Sequence, residues 1–489
     1  MGKRIVLILL SLLLLSGGNI YPLRLMVPVE YNTIQAAINN ASDGDSVIIQ
    51  PGTYYENINF NGKNILVGSY QVITGNNVFI GTTIIDGNNN GPVVTFTNNE
   101  DSTAVLKGLT LKHGSGKLVI SYHSKSVYGG AVYCVAAGPT LDNNVINYNT
   151  VFIDTGTCQG YGAGIYCSDS KARIINNTIN NNLAYRSNEQ NTYFSIGGGI
   201  FASESDLLIQ GNRISANKAK MGAGIAIQES HVVIEDNDIF QNETFSIAIG
   251  GGIVLNSSSS DLFRMIVKNN IIRGNIGYYG TGMACLTTAA LIEGNLIYNN
   301  SDMAVACQLG FDTLRNNTIC INLGPGLYVS NNAGPVIENS IFWDNAYDEI
   351  LNVTAENLQV TCCLVKGGWE GAGNIDTNPQ FCDPDNNNYT INFFSPCLPE
   401  NNSCGVLIGA EEAGCDLLCG DANGDHQVNL ADVSHLIIYY FQAGAGPYNA
   451  YMVDLNNNGN IELADIIFLI HYINDPAMEV WCDVYSPVE

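Results

Sequence analysis

Hydrophobic and polar positions recur in one repeated unit through the middle of the chain. Each copy has a Gly-rich start, a short apolar strand, a break and then Asn-x-Ile-x-x-Asn; residues 197–217 (GGGIFASESDLLIQGNRISAN) and 222–242 (GAGIAIQESHVVIEDNDIFQN) show it most clearly. The interval between first Asn residues is 25 from Asn212 to Asn237 and 22 from Asn295 to Asn317. The copies begin at Asn144, Asn177, Asn212, Asn237, Asn270, Asn295 and Asn317, and a variant copy begins at Asn339 and closes one residue late at Asn345.

Short strands at a steady interval predict an all-β solenoid whose coils stack about 4.8 Å apart. An Asn pointing inward at a turn can hydrogen-bond the equivalent Asn of the next coil, which gives a ladder and satisfies backbone groups in the bend. Gly where a strand begins permits a tight turn, and Ile and Val fill a dry interior.

Two pairs of cysteines occupy equivalent positions in neighbouring copies: Cys134 with Cys167, and Cys285 with Cys307. Alternation places them inward with the apolar residues. They are interpreted either as stacked buried thiols or as disulfides between coils.

The segment Thr33–Ile58 predicts a cap for the first coil. Ile34, Ala37 and Ile38 mark one face of a short amphipathic helix, with Asn32 as its N-cap. Such a helix would cover the open end of the solenoid.

This cap, together with TTIIDG (82–87), GLTLKHG (108–114), GNIDTNPQF (373–381) and SPC (395–397), resembles the right-handed parallel β-helix proteins of the pectin-lyase-like superfamily. The resemblance spans about residues 28–413. It implies the fold more than an activity, because such helices carry lyases, hydrolases, esterases and adhesins alike.

Two twelve-residue loops near the C-terminus, 421–432 and 454–465, carry oxygen side chains at loop positions 1, 3, 5, 9 and 12. With the carbonyl at position 7, this spacing wraps a hard cation that takes six to eight oxygens, so we predict one calcium ion in each loop. The predicted ligands are Asp421, Asn423, Asp425, Gln427, Asn429 and Asp432, and then Asp454, Asn456, Asn458, Asn460, Glu462 and Asp465.

An apolar face at helical spacing follows each loop, with Val433, Leu436, Ile437, Tyr440 and Phe441 after the first and Ile466, Leu469, Ile470 and Ile473 after the second.

The tandem loop–helix unit resembles a type I dockerin over about residues 419–482, which implies a cohesin domain as a candidate partner. Cys419 and Cys482 bracket the unit, and we predict a disulfide between them. Residues 416–489 contain no Lys or Arg, and Leu-Ala stands at loop positions 10 and 11, so calcium binding transfers from the resemblance more fully than cohesin binding.

The formal net charge of −26 argues against a nucleic-acid partner. One stretch departs from this balance: residues 102–220 hold ten basic and six acidic side chains, a local charge of +4 (10 − 6). That stretch is suited to a polyanion such as an acidic polysaccharide.

The N-terminus has the pattern of a secretory signal over residues 1–18, with Lys3-Arg4 before an apolar run from Ile5 to Leu15. The run is too short to span a bilayer, and no later apolar stretch is longer. Fourteen cysteines suit an oxidising compartment. The protein is therefore predicted to be secreted, without a membrane span.

The catalytic patterns of polygalacturonases and pectin esterases are not found in the sequence. A calcium-assisted lyase needs acidic residues near a Lys or Arg that removes a proton, and one neighbourhood offers these types: Arg213, Lys218, Asp236 and Asp238. Arg213 and Asp238 are interpreted either as part of such a site or as a stacked surface ion pair.

Two insertions, Thr150–Gly160 and Leu183–Ser195, carry Phe152, Tyr185, Tyr193 and Phe194. They are interpreted either as aromatic walls of a sugar groove or as ordinary loops.

Two functions remain. The first is a secreted, non-catalytic protein that binds glycans or another surface. The alternative is a polysaccharide lyase or glycoside hydrolase attached through its dockerin to a cohesin.

Overall fold

The computed structural model gives two compact units, Met1–Pro379 with Pro399–Ala410, and Gln380–Leu398 with Glu411–Glu489. The structure describes residues 22–121, 125–153, 158–186, 195–257, 265–353, 358–415, 419–425, 427–442, 444–447, 450–456 and 458–475. The predicted signal, residues 1–18, lies outside these ranges, as do Tyr193 and Phe194.

The first unit is a parallel β-helix whose coils each add one strand to each of three long sheets. Sheet A consists of Arg24–Val27, Ser46–Ile49, Leu66–Ser69, Val105–Lys107, Thr140–Asp142, Arg173–Ile175, Asp206–Gln210, His231–Glu235, Met265–Lys268, Leu291–Glu293, Thr313–Arg315, Val336–Glu338 and Gln359–Thr361. Sheet B consists of Gly52–Tyr55, Thr83–Asp86, Thr110–Lys112, Val145–Asn147, Thr178–Asn180, Arg213–Ser215, Asp238–Phe240, Ile271–Arg273, Leu296–Tyr298, Thr318–Cys320, Ile341–Trp343 and Leu364–Val365. Sheet C consists of Ile58–Asn59, Val94–Phe96, Val132–Val135, Ile165–Ser168, Ile200–Ser203, Ile225–Gln228, Ile253–Asn256, Met283–Leu286, Val305–Gln308, Leu327–Ser330 and Ile350–Asn352.

A fourth sheet, sheet D, is built from insertions between sheets B and C. Its strands are Lys117–Ile120, Lys125–Tyr128, Thr150–Ile153, Cys158–Tyr161, Leu183–Arg186, Ser195–Ile196, Lys218–Met221 and Glu243–Ile249. Apart from the antiparallel pair 117–120 and 125–128, these strands also pair in parallel. The insertions therefore extend the stacking of the coils rather than leaving it.

Two-residue corners separate sheet A from sheet B, and the same corner closes sheet B. In one coil Asn176 has a left-handed φ of 56° and Asn177 is buried. The next corner repeats this with Asn181 at φ 54° and buried Asn182. Asn tolerates the left-handed region better than most residues, which explains its abundance here.

The predicted asparagine ladder is confirmed, and there are two of them. The first contains Asn144, Asn177, Asn212, Asn237, Asn270, Asn295 and Asn317, and the second contains Asn149, Asn182, Asn217, Asn242, Asn275, Asn300, Asn322 and Asn345. Asn237 is typical: its Nδ2 donates to Asn270 Oδ1 at 2.9 Å and to the carbonyl of Ile209 at 2.9 Å. Its Oδ1 accepts from the backbone N–H of Asn212 at 2.8 Å.

The placement of the last copy was wrong by one residue. Ser340, not Asn339, follows Asn317 in the first ladder, and its Oγ accepts the Asn317 N–H at 3.1 Å. Asn339 takes the left-handed corner position with φ 49°. The interval from Ser340 to Asn345 is then the regular one, and a serine simply replaces the amide.

Columns of branched side chains fill the interior. Ile174, Ile209 and Ile234 stack from sheet A, with Ile179, Ile214 and Ile239 opposite them from sheet B, all buried in one core. The four stacked cysteines are buried and free, which confirms the thiol interpretation. Gly222 turns into sheet C with φ 57°, and a Cβ there would lie 2.7 Å from the carbonyl of Ile225.

The N-terminal cap helix is confirmed as α1, Ile34–Asn40, which buries Ile34, Ala37 and Ile38. Its N-cap was assigned wrongly to Asn32. Thr33 is the N-cap because its hydroxyl accepts the Ala36 N–H at 3.1 Å. Two short helices follow, α2 at Gln71–Thr74 and α3 at Val78–Thr82.

The second unit contains a hairpin of Phe381–Asp383 with Asn388–Ile391, a 3₁₀ turn at Pro384–Asn386, and three helices. These helices are α4 at Leu430–Gln442, α5 at Ala450–Val453 and α6 at Leu463–Asn474. Val433 and Leu436 of α4 pack with Ile466 and Leu469 of α6 in a small core. The far end of α4 departs from the predicted apolar face, because Tyr440 and Phe441 are exposed.

Two disulfides lie between residues 362 and 415. Cys362 pairs with Cys404 in the first unit, and Cys382 pairs with Cys415 in the second. A 3₁₀ turn at Pro399–Asn401 lies shortly before Cys404. Cys419 is also disulfide-bonded. Its predicted partner, Cys482, lies outside the described residues, so that pairing stays a prediction. Disulfides of this kind are typical of an oxidising compartment.

Replacing a ladder asparagine should destabilise the β-helix strongly. Asn237→Ala leaves buried backbone and amide groups of two neighbouring coils without partners, and we expect the free energy of unfolding to fall by about 3 kcal/mol. Asn180→Ala, at an outward position on sheet B, is the matched control and should change it by less than about 1 kcal/mol. Denaturant unfolding followed by circular dichroism measures both, and equal effects would contradict the ladder's role.

Candidate functional site

The first predicted calcium loop gathers its carboxylates. Oxygen atoms of Asp421, Asp425 and Asp432 lie within 4.8 Å of one another. Asp432 is fully buried, and its Oδ1 accepts the backbone N–H groups of Ala422 and Asn423 at 2.9 and 3.1 Å. Asp421 Oδ1 accepts from Gly424 at 2.8 Å, so the loop folds around its own acids.

The remaining ligands predicted in the first loop also make turn contacts. Asn423 Oδ1 accepts the Asp425 N–H at 2.8 Å, and Asp425 Oδ1 accepts the Gln427 N–H at 2.9 Å. Asn429 Oδ1 accepts the Ala431 N–H at 2.8 Å, at the beginning of α4. Each oxygen used in these bonds keeps a second lone pair for a cation.

The second loop repeats this arrangement. Asp454 accepts the N–H groups of Asn458 and Gly459 at 3.1 and 2.7 Å, and Asp465 Oδ2 accepts the Glu462 N–H at 2.8 Å. Burial raises the pKa of Asp465, and the charge of Asp454 adds to the effect. Asn458 also contacts Glu462, and its Oδ1 accepts the Asn460 N–H at 2.9 Å.

One atom in the second loop is placed as an ion ligand would be. Asn456 Oδ1, a predicted ligand at loop position 3, is buried, and no group in the described ranges donates a hydrogen bond to it. A buried polar atom without a partner is costly, and a calcium ion would satisfy it. The donor set of both loops, which is entirely oxygen, suits the same hard cation.

Among the lyase candidates on the β-helix, Asp238 pairs with a different arginine from the one that the ion-pair interpretation expected. Arg213 and Asp238 are neighbours in register on sheet B, as predicted. However, Asp238 pairs with Arg273 of the following coil, at 2.9 and 3.1 Å. The Arg213 guanidinium instead lies 4.7 Å from the centre of the Phe240 ring. The guanidinium of Arg273, on the coil after Phe240, lies 4.4 Å from the centre of the same ring.

The other two candidates are also engaged in structural contacts. Lys218 Nζ pairs with Glu243 at 2.6 Å. Asp236 is the left-handed corner residue of its coil, with φ 59°, and accepts a 3.4 Å contact from Gln210. The four residues are thus dispersed over a corner, sheet B and sheet D, and each contacts a different neighbour.

Ion pairs between adjacent coils neutralise the charges along one outward column of sheet A. Lys107 pairs with Asp142 at 2.5 Å, Lys268 with Glu235 at 2.8 Å, and Arg315 with Glu293 at 2.6 Å. Exposed pairs of this kind contribute little to stability. They do remove unbalanced charge from this column.

Aromatic rings line sheet D in two groups. In the first, the rings of Phe152 and Tyr185 stack at 5.9 Å, and Phe245 meets Tyr185 edge-on at 5.8 Å. In the second, Tyr161 packs against Phe201 of sheet C at 4.9 Å, and burial raises the pKa of Tyr161 to about 12. The first insertion therefore exposes the ring of Phe152, whereas its second strand, Cys158–Tyr161, is held against sheet C by the packing of Tyr161.

A groove of 730 Å³ follows the beginning of sheet A across successive coils. It is lined by the acids Asp101, Asp169 and Asp206, by the cations Lys171 and Arg173, and by Leu208 and Val233. His231 Nδ1 lies 2.8 Å from Asp206 Oδ1 at the same edge. The hydroxyl and backbone N–H of Thr103 lower the pKa of Asp101.

Lys171 and Arg173 differ from the other cations described above. Both side chains are exposed, and neither makes an ion pair, hydrogen bond or ring contact with any residue in the described ranges. Both residues belong to the basic stretch at 102–220, but neither was predicted from the sequence as a site residue. Aligning the repeats by coil would have identified Arg173, because it stands in register with Leu208 and Val233 in a mostly apolar column.

Comparisons with known proteins agree with both units. The model of the family described as "Right handed beta helix region" matches residues 84–287 and 244–408, and that described as "Dockerin type I domain" matches residues 419–474. No curated protein matches the chain.

Two solved structures are similar in fold. One is the mannuronan C-5 epimerase AlgE6 A-module of Azotobacter vinelandii, 13% identical with a TM-score of 0.32, covering 71% of this chain and 95% of that one. The other is pectate lyase Pel9A, 15% identical with a TM-score of 0.38, covering 78% of this chain and 90% of that one.

Within the described ranges, none of the helices is both long enough and apolar enough to cross a bilayer.

Calcium removal should unfold the part of the second unit that contains helices α4 to α6, here called the helical unit, while leaving the β-helix intact. Without an ion, the six carboxylates of the two loops repel one another and Asn456 Oδ1 stays unsatisfied. In calorimetry with EDTA we expect the transition of the helical unit to shift down or disappear, and that of the β-helix to remain. Asp432→Asn should reproduce part of the effect in calcium, whereas Asp385→Asn, an exposed acid outside the loops, should not. A single transition that EDTA does not shift would contradict the prediction.

Proposed function

We propose that this chain, which belongs to the family of right-handed β-helix proteins and carries a dockerin type I domain, binds acidic polysaccharide outside the cell. The binding surface is the groove at the beginning of sheet A. The dockerin, folded around two calcium ions held by the predicted ligands of its two loops, attaches the protein to a cohesin.

The unpaired charge of Lys171 and Arg173 carries this proposal. In a chain of net charge −26, the cations of the neighbouring column are held by acids. Lys171 and Arg173 are instead exposed in the groove, and their side chains have no partner among the residues that the structure describes. A guanidinium and an ammonium are suited to the carboxylates of a uronic-acid polymer.

The rest of the groove fits a sugar chain. Leu208 and Val233 supply half-buried apolar surface for the carbon–hydrogen faces of a sugar ring, and the carboxylates of Asp169 and Asp206 can accept hydrogen bonds from its hydroxyls. The groove crosses several coils, so its length suits a polymer rather than a single sugar.

A lyase remains the second candidate, favoured by one observation. Asp169 and Asp206 lie in the same groove as Arg173 and Lys171, which are the residue types that a calcium-assisted lyase requires. Against it, the acids of the groove are not among the clusters in the described residues whose oxygens lie within 4.8 Å of one another. The geometry therefore supports binding more than catalysis.

The helices of the dockerin offer an apolar surface for the cohesin. Leu430 and Leu463 occupy the same position of the two loop–helix repeats and are 66% and 47% exposed. Ile437 and Ile470 form a second equivalent exposed pair. Because this unit lacks basic side chains, docking through these apolar pairs is the interaction that its surface supports.

Removing the two free cations should weaken polysaccharide binding. We expect the double substitution Lys171→Ala with Arg173→Ala to reduce the affinity for a polyuronate about tenfold at low salt, with a smaller loss at high salt, because two charge-assisted contacts are lost. Titration calorimetry at two salt concentrations measures this.

Lys268→Ala is the matched control, because Lys268 is a sheet A cation already paired with Glu235, and it should leave the affinity within about twofold. Equal losses in both variants, or no binding by the unmodified chain, would overturn the groove assignment. Unsaturated sugar ends released with calcium but not with EDTA would favour the lyase.

Docking should depend on the apolar pairs of the helices. Leu430→Asp with Leu463→Asp should weaken binding to a panel of type I cohesins by about tenfold or more, because buried apolar contacts are replaced by charges. Ile120→Asp, which changes an equally exposed apolar residue of the β-helix, is the control and should have no effect. Unchanged binding by the double variant would contradict the docking surface, and a calcium melting transition for each variant shows that the unit is folded.

A further inference from the structure

Two buried cysteines and one buried acid meet in the interior of the β-helix, far along the chain from the loops and the groove. Cys285 and Cys307 are paired in register on sheet C, and Asp312 directly precedes the sheet A strand Thr313–Arg315. One side-chain ligand atom of each lies within 4.8 Å of the other two, and all three residues are fully buried.

Asp312 departs from its own column. The residues one position before the paired Leu291 and Thr313 are Ala290 and Asp312, and the same inward position in earlier coils holds Leu207, Val232 and Met265. Those side chains are all buried and apolar. A carboxyl group has replaced a hydrocarbon in the core.

The hydrogen bonds of this carboxyl group are one-sided. Its Oδ1 accepts from the Thr288 hydroxyl at 2.6 Å and from the Ala290 N–H at 2.9 Å. Its Oδ2 is buried and accepts no hydrogen bond of normal length within the described residues, and the Cys307 thiol interacts with the same carboxylate. The two contacts of Oδ1 hold the group in place, and its other oxygen is left beside the thiols, where a metal ion could take it as a ligand.

The other stacked cysteine pair shows what the same position looks like without an acid. Cys134 and Cys167 are also paired in register on sheet C and buried. Beside them stands Ser170, whose hydroxyl donates to the carbonyl of Ala137 at 2.7 Å and lies 3.3 Å from Cys134 Sγ. That cluster is satisfied with neutral groups alone.

We propose that Cys285, Cys307 and Asp312 form a buried site for a thiophilic divalent cation such as Zn²⁺. Two thiolates and one carboxylate are a donor set that zinc takes in proteins, at about 2.3 Å for sulfur and about 2.0 Å for oxygen. Thr288 and Ala290 act as positioning residues, because they orient the carboxylate through its other oxygen.

An ion can enter the site without adding buried charge. Binding releases the two thiol protons to water, and a divalent cation with two thiolates and one carboxylate carries a net charge of −1, the same as the ionised carboxylate beside two neutral thiols. The hard-oxygen loops of the dockerin and this sulfur-containing site would therefore take different metals.

The test uses the full chain, refolded from denaturant with Co²⁺ and excess Ca²⁺ under reducing conditions, because the three side chains are closed to solvent after folding. We expect about one Co²⁺ per chain to survive gel filtration, with sulfur-to-cobalt charge-transfer absorption in the near ultraviolet. Cobalt bound by the oxygen loops gives no such absorption, so the two locations are distinguished. Refolding with Zn²⁺ alone, followed by metal analysis, should retain a similar amount.

Three variants identify the ligands. Asp312→Ala, which restores the residue of the preceding coil, should fold with the same circular dichroism and lose the retained cobalt and its absorption. Cys307→Ala should do the same, while Cys134→Ala in the neutral cluster should keep both. No retained cobalt in the unmodified folded chain, or a Cys285–Cys307 disulfide in the protein secreted by its producing cells, would overturn the proposal.

Discussion

The hydrogen bond between equivalent asparagines of successive coils is the constraint on which the rest of the β-helix depends. Each buried amide satisfies the corner of its own coil and accepts from the backbone of the coil before it, as Asn237 does. A slip of one residue would leave these groups without partners in a dry interior. The ladders therefore hold the register through eight or so coils, despite insertions of different lengths between sheets B and C.

Fixed register has a consequence for the surface. Residues at equivalent positions stand one above another, so the outside of the molecule is organised in columns. One column of sheet A is a series of ion pairs, and sheet D presents stacked rings. The column of sheet A that contains Val105, Arg173 and Leu208 is mostly apolar. A column whose charges pair with one another presents little net charge to a charged partner. In the groove, Lys171 and Arg173 are not paired in this way with any described residue.

Much of this architecture was accessible from the sequence, because the repeat encodes it directly. The strands, the inward amides, the stacked positions of the cysteines and the repeated spacing of the two acidic loops all follow from the repeats. What spacing could not give was the direction of each long side chain. Arg213 and Asp238 are neighbours as predicted, yet Asp238 bonds Arg273 on the other side, because a column offers every charge two neighbours and the Phe240 ring attracts both arginines. The N-cap at Thr33 and the serine at Ser340 were missed for a similar reason: adjacent polar residues compete for one backbone position.

A repeat protein also supplies its own reference for judging a residue. In a fold without repeats, a buried acid or an exposed arginine must be compared with general expectations. Here each can be compared with the same position in the coils on either side, where the backbone and surroundings are nearly identical. Arg173 interrupts a mostly apolar outward column, and Asp312 interrupts an apolar inward one. Because packing alone would favour the residue of the neighbouring coils, each exception requires a cause beyond folding. The exceptions to the columns are thus the positions where function is best sought in this molecule.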